Sequence, residues 1–321
     1  MSRSLSKSGK TTEAISTQTI VLLSLAWAVI ALFFYMQFGL RAVGEERQGW
    51  YLIFTYIFEE VGYLAAALLC FRNWQCRQMV SGRTVWLFIG LGMFFFFVGN
   101  LFFGVWELMF GLDPQVSLGD VFYLPCYAFL AIGMTLAVLP RRLNMLLWQW
   151  FVLAAMAAVG SVVTYWLVQI SDAAAAALES PGDVPLVEEA ITTAPQWAIQ
   201  FDQALNPFAD LVNQLYIVGD VILLIVAFTL LMAFWGGRFS LSWRMIAAAT
   251  LCQYVADMWF YFAISTNSDY QSGELLEVGW VFSAILFALG AALEYDVSNR
   301  SSTRRGGALG DDRQVKTLKL E

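Results

Sequence analysis

The sequence predicts an all-α integral membrane protein with eight transmembrane helices, built as two four-helix repeats in parallel topology with both termini in the cytoplasm. Three observations carry that expectation. Hydrophobic residues make up 59% of the 321-residue chain and charged residues 13%, a balance outside the range of soluble domains. The apolar residues fall into eight runs, at about 18–39, 51–72, 84–108, 118–139, 146–169, 213–235, 242–265 and 276–295, most of them long enough to cross a ~30 Å hydrocarbon layer as a helix. Polar residues also recur inside these runs at a fixed distance: Asn100 lies 20 residues before Asp120, as Asp257 lies 20 residues before Glu277. That equality points to an internal duplication with an offset of 157 positions.

Taken in order, residues 1–17 form a polar tail with Arg3, Lys7 and Lys10 ahead of the first apolar run. No small-residue cleavage pattern follows that run, so the first helix is expected to be retained. Residues 18–169 hold the first repeat and the fifth helix. Arg72, Arg77 and Arg83 flank the second loop, Arg141 and Arg142 the fourth, Arg238 and Arg244 the sixth, and further Arg and Lys residues fill the tail. The positive-inside rule places these loops and both termini in the cytoplasm.

On the opposite face, residues 170–212 contain seven acids and no Lys or Arg. The stretch to Pro195 is Ala-rich and interrupted by Pro and Gly. Beyond it, Trp197, Phe201, Leu205 and Phe208 recur at near-helical spacing opposite Gln200 and Gln203, predicting a short amphipathic helix on the outer surface. The second repeat covers 213–296. Residues 297–321 lack apolar periodicity and are expected to be disordered.

Chemistry is bounded by what is missing. The chain has no histidine, which removes the usual haem ligand, the commonest zinc ligand and the ordinary base near neutral pH. Cys70, Cys76, Cys126 and Cys252 show no metal-ligand spacing. No catalytic set and no cofactor is predicted, and the acidic charge balance, −7 overall, argues against nucleic acid as a partner.

An acid inside a membrane span costs at least ~2.5–3.5 kcal/mol on insertion scales, so it faces a bundle interior or has a function. Depth along the spans gathers Glu60, Asn100, Asp220 and Asp257 roughly 10–13 Å from the outer ends, from a ~1.5 Å rise per residue, with Glu107, Asp120 and Glu277 at the rim. Helical spacing adds Tyr123 and Tyr261, outlining an outward-facing acidic cavity. Glu59, about 100° round the helix from Glu60, is expected among headgroups or on the opposite side. Asp220 and Asp257, on consecutive antiparallel helices, are expected to approach each other. With no Lys, Arg or His at that depth, the acids hold a cation, hold a proton, or accept hydrogen bonds in a wet cavity.

Three stretches, SLGDVFYLPCYAFLAIGM (117–134), LYIVGDVILLIVAFTLL (215–231) and VADMWFYFAISTNSDYQSGELLEVGW (255–280), resemble the multi-span sensory regions that precede GGDEF and EAL domains in bacterial cyclic-di-GMP signalling proteins. The pattern's polar places are taken by Gly119-Asp120 with Tyr123, by Gly219-Asp220, and by Ala256-Asp257 with Tyr270, Gly273, Glu277 and Trp280. The chain departs from the pattern in having Pro125-Cys126-Tyr127 in place of Tyr-Pro and Glu277 in place of Asp. Neither a GGDEF nor an EAL domain follows residue 297, so the resemblance implies sensing and no cyclase or phosphodiesterase activity.

The expectation is a non-enzymatic sensor or ligand-binding module in a bacterial cytoplasmic membrane, surrounded by lipid and signalling through a protein partner. Two other classes use the same features: an accessory or assembly subunit of a larger membrane complex, and a cation- or proton-coupled transporter. A transporter favours spans broken by Gly or Pro around its site, and here only Pro125 interrupts a span.

Overall fold

The fold is described from a computed structural model that covers residues 16–40, 45–112, 116–139, 146–178, 194–234, 240–266 and 270–318. It is 88% helical. The helices are α1 (Thr17–Phe38), α2 (Gly49–Gln75), α3 (Arg83–Phe110), α4 (Asp120–Val138), α5 (Leu147–Leu178), α6 (Gln196–Leu205), α7 (Ala209–Ala233), α8 (Ser240–Thr266) and α9 (Val278–Leu318). Local chemistry fixes several ends. Ser16 Oγ accepts from the Thr19 N–H at 3.1 Å to cap α1. Gly111 takes φ +62° and gives its N–H to carbonyls of the last turn, stopping α3. Asp120 opens α4 and accepts from the Ser117 N–H at 2.6 Å, a favourable place for an acid at a positive helix end.

Among the described residues seven helices are long and apolar enough to cross a membrane; α6 and α7 count as one, Gln196–Ala233. The remaining long helix, α8, has 27 residues. It falls outside that group because Arg244, Gln253 and Asp257 dilute its hydropathy, yet it packs against α5, α7 and α9.

The bundle is a ring of six helices. Each of α2, α3 and α4 packs on the next, as do α7, α8 and α9, and the ring closes through α2 against α9 and α4 against α7. Outside it, α1 lies on α9 and α5 on α7 and α8. These two are peripheral, with 11% of each apolar window buried against 67% for α9.

The ring has an acidic end and a basic end. At the acidic end the Tyr51 hydroxyl donates to the Gly273 carbonyl at 2.6 Å, and the Tyr216 hydroxyl donates to Asp120. At the other end, beside Arg72, Arg77 and Arg83, the Asn73 amide donates to the Ala291 carbonyl at 2.8 Å and Ser242 donates to Glu294 at 2.7 Å. It follows that α2, α4, α7 and α9 all begin at the acidic end.

Contacts recur at positions 157 residues apart. Gly133 lets α4 approach Ile89, and Gly290 lets α9 approach Ile246; an added Cβ would stand 2.9 Å and 2.7 Å from those side chains. Gly62 faces Ala284, and its counterpart Gly219 faces Tyr127, the counterpart of Ala284. Trp86 and Trp243, also counterparts, are fully buried and meet each other with ring centroids 5.9 Å apart.

Two outer features differ from expectation or refine it. The backbone of α9 continues as helix to Leu318, so no helix end falls near residue 297, where disorder was expected. Residues 179–193 of the acidic loop lie outside the described residues, as do the other masked stretches of the tails and loops. The amphipathic helix is present as α6, and it packs on the end of α3: Trp197 meets Trp106 and Phe110 at 5.7 and 5.6 Å, and Trp106 Nε1 donates to Asp202 at 2.8 Å.

Candidate functional site

Inside the acidic half of the ring lies a cavity of about 510 Å³, the size of a small-ligand site. It reaches the acidic end at Asp210 and Ser272, where Asp210 is exposed. Towards the basic end the bundle is closed by apolar side chains under 2% exposed, among them Met93, Leu130, Met134, Phe287, Trp86 and Trp243.

Every ring helix contributes to the wall. Eight of the residues expected from sequence line it: Asn100, Asp120, Tyr123, Asp220, Asp257, Tyr261, Glu277 and Trp280. Two do not. Glu107 stands at the end of α3, behind Tyr56, whose hydroxyl donates to it. Glu60 is off the cavity, and both its oxygens are buried without a hydrogen-bond partner among the described residues. Its neighbour Glu59 takes the cavity place, the reverse of the expected assignment, because one step along a helix turns a side chain by about 100° and the packing of α2 against both α3 and α9 selects the Glu59 face.

Among the described residues the wall holds six carboxylic acids and no Lys or Arg. Most are saturated with donors. Glu59 accepts from the Tyr35 hydroxyl at 3.3 Å and the Asn100 amide at 2.9 Å. Glu277 accepts from the Tyr270 hydroxyl and the Gly273 N–H, both at 2.6 Å. Gly273 has φ +92°, and a Cβ there would lie 2.6 Å from the Tyr51 ring, so this turn is open to glycine alone. Asp120 accepts from Tyr216, from the Ser117 N–H and from Ser117 Oγ. Asp257 accepts from Trp280 Nε1 at 2.6 Å, Tyr127 at 2.9 Å and Gln253 at 3.1 Å.

Asp220 is different. It is 2% exposed, and its Oδ2 is buried with no hydrogen-bond partner among the described residues. It shares the cavity wall with Asp257 and Tyr127, and the Tyr127 hydroxyl donates to Asp257. Asp220 and Asp257, expected to approach each other, both line the cavity.

The hydrogen bonds repeat with the helices. Tyr123 donates to Asn100, and Trp280 donates to Asp257, at positions 157 apart. Tyr216 on Asp120 corresponds to Glu59 near Glu277, since residue 59 matches 216 and residue 120 matches 277. Glu59, Tyr56, Tyr63 and Tyr216 were not read from sequence as site residues. The offset was the signal that could have found them: it maps Tyr63 onto Asp220 and Tyr56 onto Asn213, both in the wall.

Aromatic rings complete the lining, with Phe96, Phe103 and Phe260 beside the tyrosines and Trp280. Among the described residues no group of three or more His, Cys, Asp or Glu side chains is arranged to hold a metal ion. Comparison with protein-family models, with curated proteins and with solved structures finds no match. Fold and site define the class directly: an all-helical, multi-pass membrane protein with an acidic, aromatic-walled cavity in one half of its bundle.

Proposed function

We propose that this protein is a non-enzymatic ligand-binding sensor of a bacterial cytoplasmic membrane, with the acidic cavity open to the outside and the signal carried to a partner at the cytoplasmic face. The carrying observation is that α9 holds cavity residue Trp280, with Glu277 in the turn just before it, and continues without a break to Leu318. At 1.5 Å per residue its 41 residues span about 60 Å. A change at the cavity thus has a rigid path to the far side of the bundle.

In this reading α8 is the eighth span, with Gln253 and Asp257 facing the ring interior rather than lipid. The ring arose by duplication of a helical unit, with α2–α4 matching α7–α9 about an axis near the membrane normal. The contacts repeated at an offset of 157 support that reading, as does the start of α2 and α7 at the same end. The arginines at the basic end support cytoplasmic termini. Single cysteines in place of Asn206 and Arg77 test it: a membrane-impermeant thiol reagent on intact cells is expected to label position 206 and not 77, and the reverse pattern overturns the orientation.

The apolar layer below the cavity favours a binding module over a transporter, which needs a second route out. An accessory subunit is distinguished by stoichiometric co-purification with larger partners. The sensing role is tested by placing a bulky adduct on cysteine at Ser265, a cavity-lining position, and following hydrogen exchange. Altered protection across 298–318 is the expected result. An adduct that fills the cavity and leaves 298–318 unchanged overturns signalling through α9.

A further inference from the structure

Of the six acids in the cavity wall, Asp220 alone is buried with an acceptor atom that no described residue satisfies. It lies on α7, beside Gly219, whose missing side chain lets the Tyr127 ring come close. Across from it Asp257 is held in place by donors from Trp280, Tyr127 and Gln253, so its carboxyl cannot turn away. Two carboxyl groups on one cavity wall, with no Lys or Arg among its described residues, call for a proton or a cation. The surroundings say which kind of cation fits. Hard metal ions take six or more oxygen ligands, whereas here the acids are a pair and the adjoining wall is aromatic: Tyr127, Trp280, Phe260 and Tyr261. Such rings stabilise an organic cation through their negative faces and accept its apolar body.

We infer that the ligand of this cavity is an organic primary amine whose ammonium bridges Asp220 and Asp257, donating one N–H to the free Asp220 Oδ2. The inference rests on the ligand-binding reading above and names the ligand class for that site. An ammonium with N–H groups is required, because the unused atom is an acceptor and a quaternary ammonium has nothing to donate. Where a proton joins the two acids in the free protein, the arriving ammonium takes its place and the proton leaves to solvent, which balances charge and atoms.

The experiment uses the full chain purified in detergent and then in nanodiscs, with thermal unfolding as readout. The probes are primary amines of increasing length and aromatic content: butylamine, hexylamine, phenethylamine and 1,5-diaminopentane. The comparators are phenethyltrimethylammonium and 2-phenylethanol. The expected result is a concentration-dependent rise in Tm with at least one primary amine, at least about tenfold stronger in half-maximal concentration than either comparator, a margin that one charge-assisted hydrogen bond supplies. Asp220→Asn is nearly isosteric and is expected to remove that margin. If Asp220→Asn does not fold, the amine-to-comparator ratio in the unaltered protein decides by itself.

Equal potency of amine and trimethylammonium, or a preference that survives Asp220→Asn, overturns the ammonium bridge. In that outcome, saturable binding of a comparator keeps the cavity as a ligand site. If no probe shifts Tm and a bulky adduct at Ser265 leaves 298–318 unchanged, the amine inference and the sensor reading both fall.

Discussion

The two sides of the ring, α2–α4 and α7–α9, carry contacts at positions 157 apart and differ in how finished the polar contacts of their cavity acids are. Around α2–α4 the cavity acids have their donors: Glu59 holds Tyr35 and Asn100, and Asp120 holds Tyr216 and Ser117. Around α7–α9 the position 157 beyond Tyr63 is Asp220, and the one 157 beyond Asn100 is Asp257, so two carboxyls line the cavity where the first half has a phenol and an amide. Tyr63 finds Gln253 at 3.0 Å, whereas Asp220 Oδ2 finds nothing. The difference is confined to the cavity: there the α2–α4 acids are met by donors and Asp220 keeps an unmet acceptor, while off the cavity Glu60 of α2 is also buried without a partner among the described residues. Leaving a buried polar atom unmet costs stability, and a site that binds its ligand through that atom recovers the cost on binding.

The largest test of the comparison is at the other end of the ring, where the halves meet through Trp86 and Trp243. Both are fully buried, so truncating either to Ala is expected to cost about 3–5 kcal/mol, read as a large fall in Tm. Because the two rings touch, the double substitution should cost less than the sum. Additive losses would mean that the pair does not join the halves. The Phe substitutions sharpen the point. Trp86 Nε1 donates to Ser81 at 2.8 Å while Trp243 Nε1 has no partner among the described residues, so Trp243→Phe should be milder than Trp86→Phe.

Next come the glycine contacts. Gly133→Ala and Gly290→Ala each force a Cβ against an isoleucine, and overpacking of this kind costs about 1–3 kcal/mol. At both sites a backbone atom also stands 3.1 Å away, the Ile89 N at Gly133 and the Ser242 carbonyl oxygen at Gly290. The two changes should therefore cost about the same in a thermal melt, and a clear disparity would break the match between the two crossings.

Comparable or smaller effects belong to the hydrogen bonds at positions 157 apart. Trp280→Phe removes a bond to a carboxylate and should cost about 1.5–3 kcal/mol, while Tyr123→Phe removes a bond to a neutral amide and should cost about 0.5–1.5 kcal/mol. Equal costs would show that Asp257 carries no charge in the folded protein, which sharpens the comparison by assigning the proton. Tyr63→Phe, which loses only a neutral bond to Gln253, is expected to be among the mildest of these changes in Tm.

Much of the architecture was legible in the chain. Apolar runs set the helices, and the run at 118–139 became Asp120–Val138 within a residue or two. The repeated Asn–Asp and Asp–Glu spacing located the site, and eight of its ten expected residues line one cavity. These features are readable because a membrane demands long apolar helices and penalises every acid placed in them without cause.

Facing was not legible to the same degree. Glu59 and Glu60 are adjacent and chemically alike, and only the packing of α2 against α3 and α9 turns one into the cavity. Nor could periodicity show that the halves exchange neighbours, α2 with α9 and α4 with α7, which is why Tyr216 reaches Asp120 across the ring. The amphipathic pattern of α6 established a helix with one apolar face, and the aromatic end of α3 decided where that face lies. The sequence by itself determined a helical membrane protein with a twice-written polar motif, since composition and spacing along one helix are properties of the chain. The tertiary structure decided which carboxylates share the cavity and which one is left without a donor, because that depends on the rotation and pairing of helices far apart in sequence.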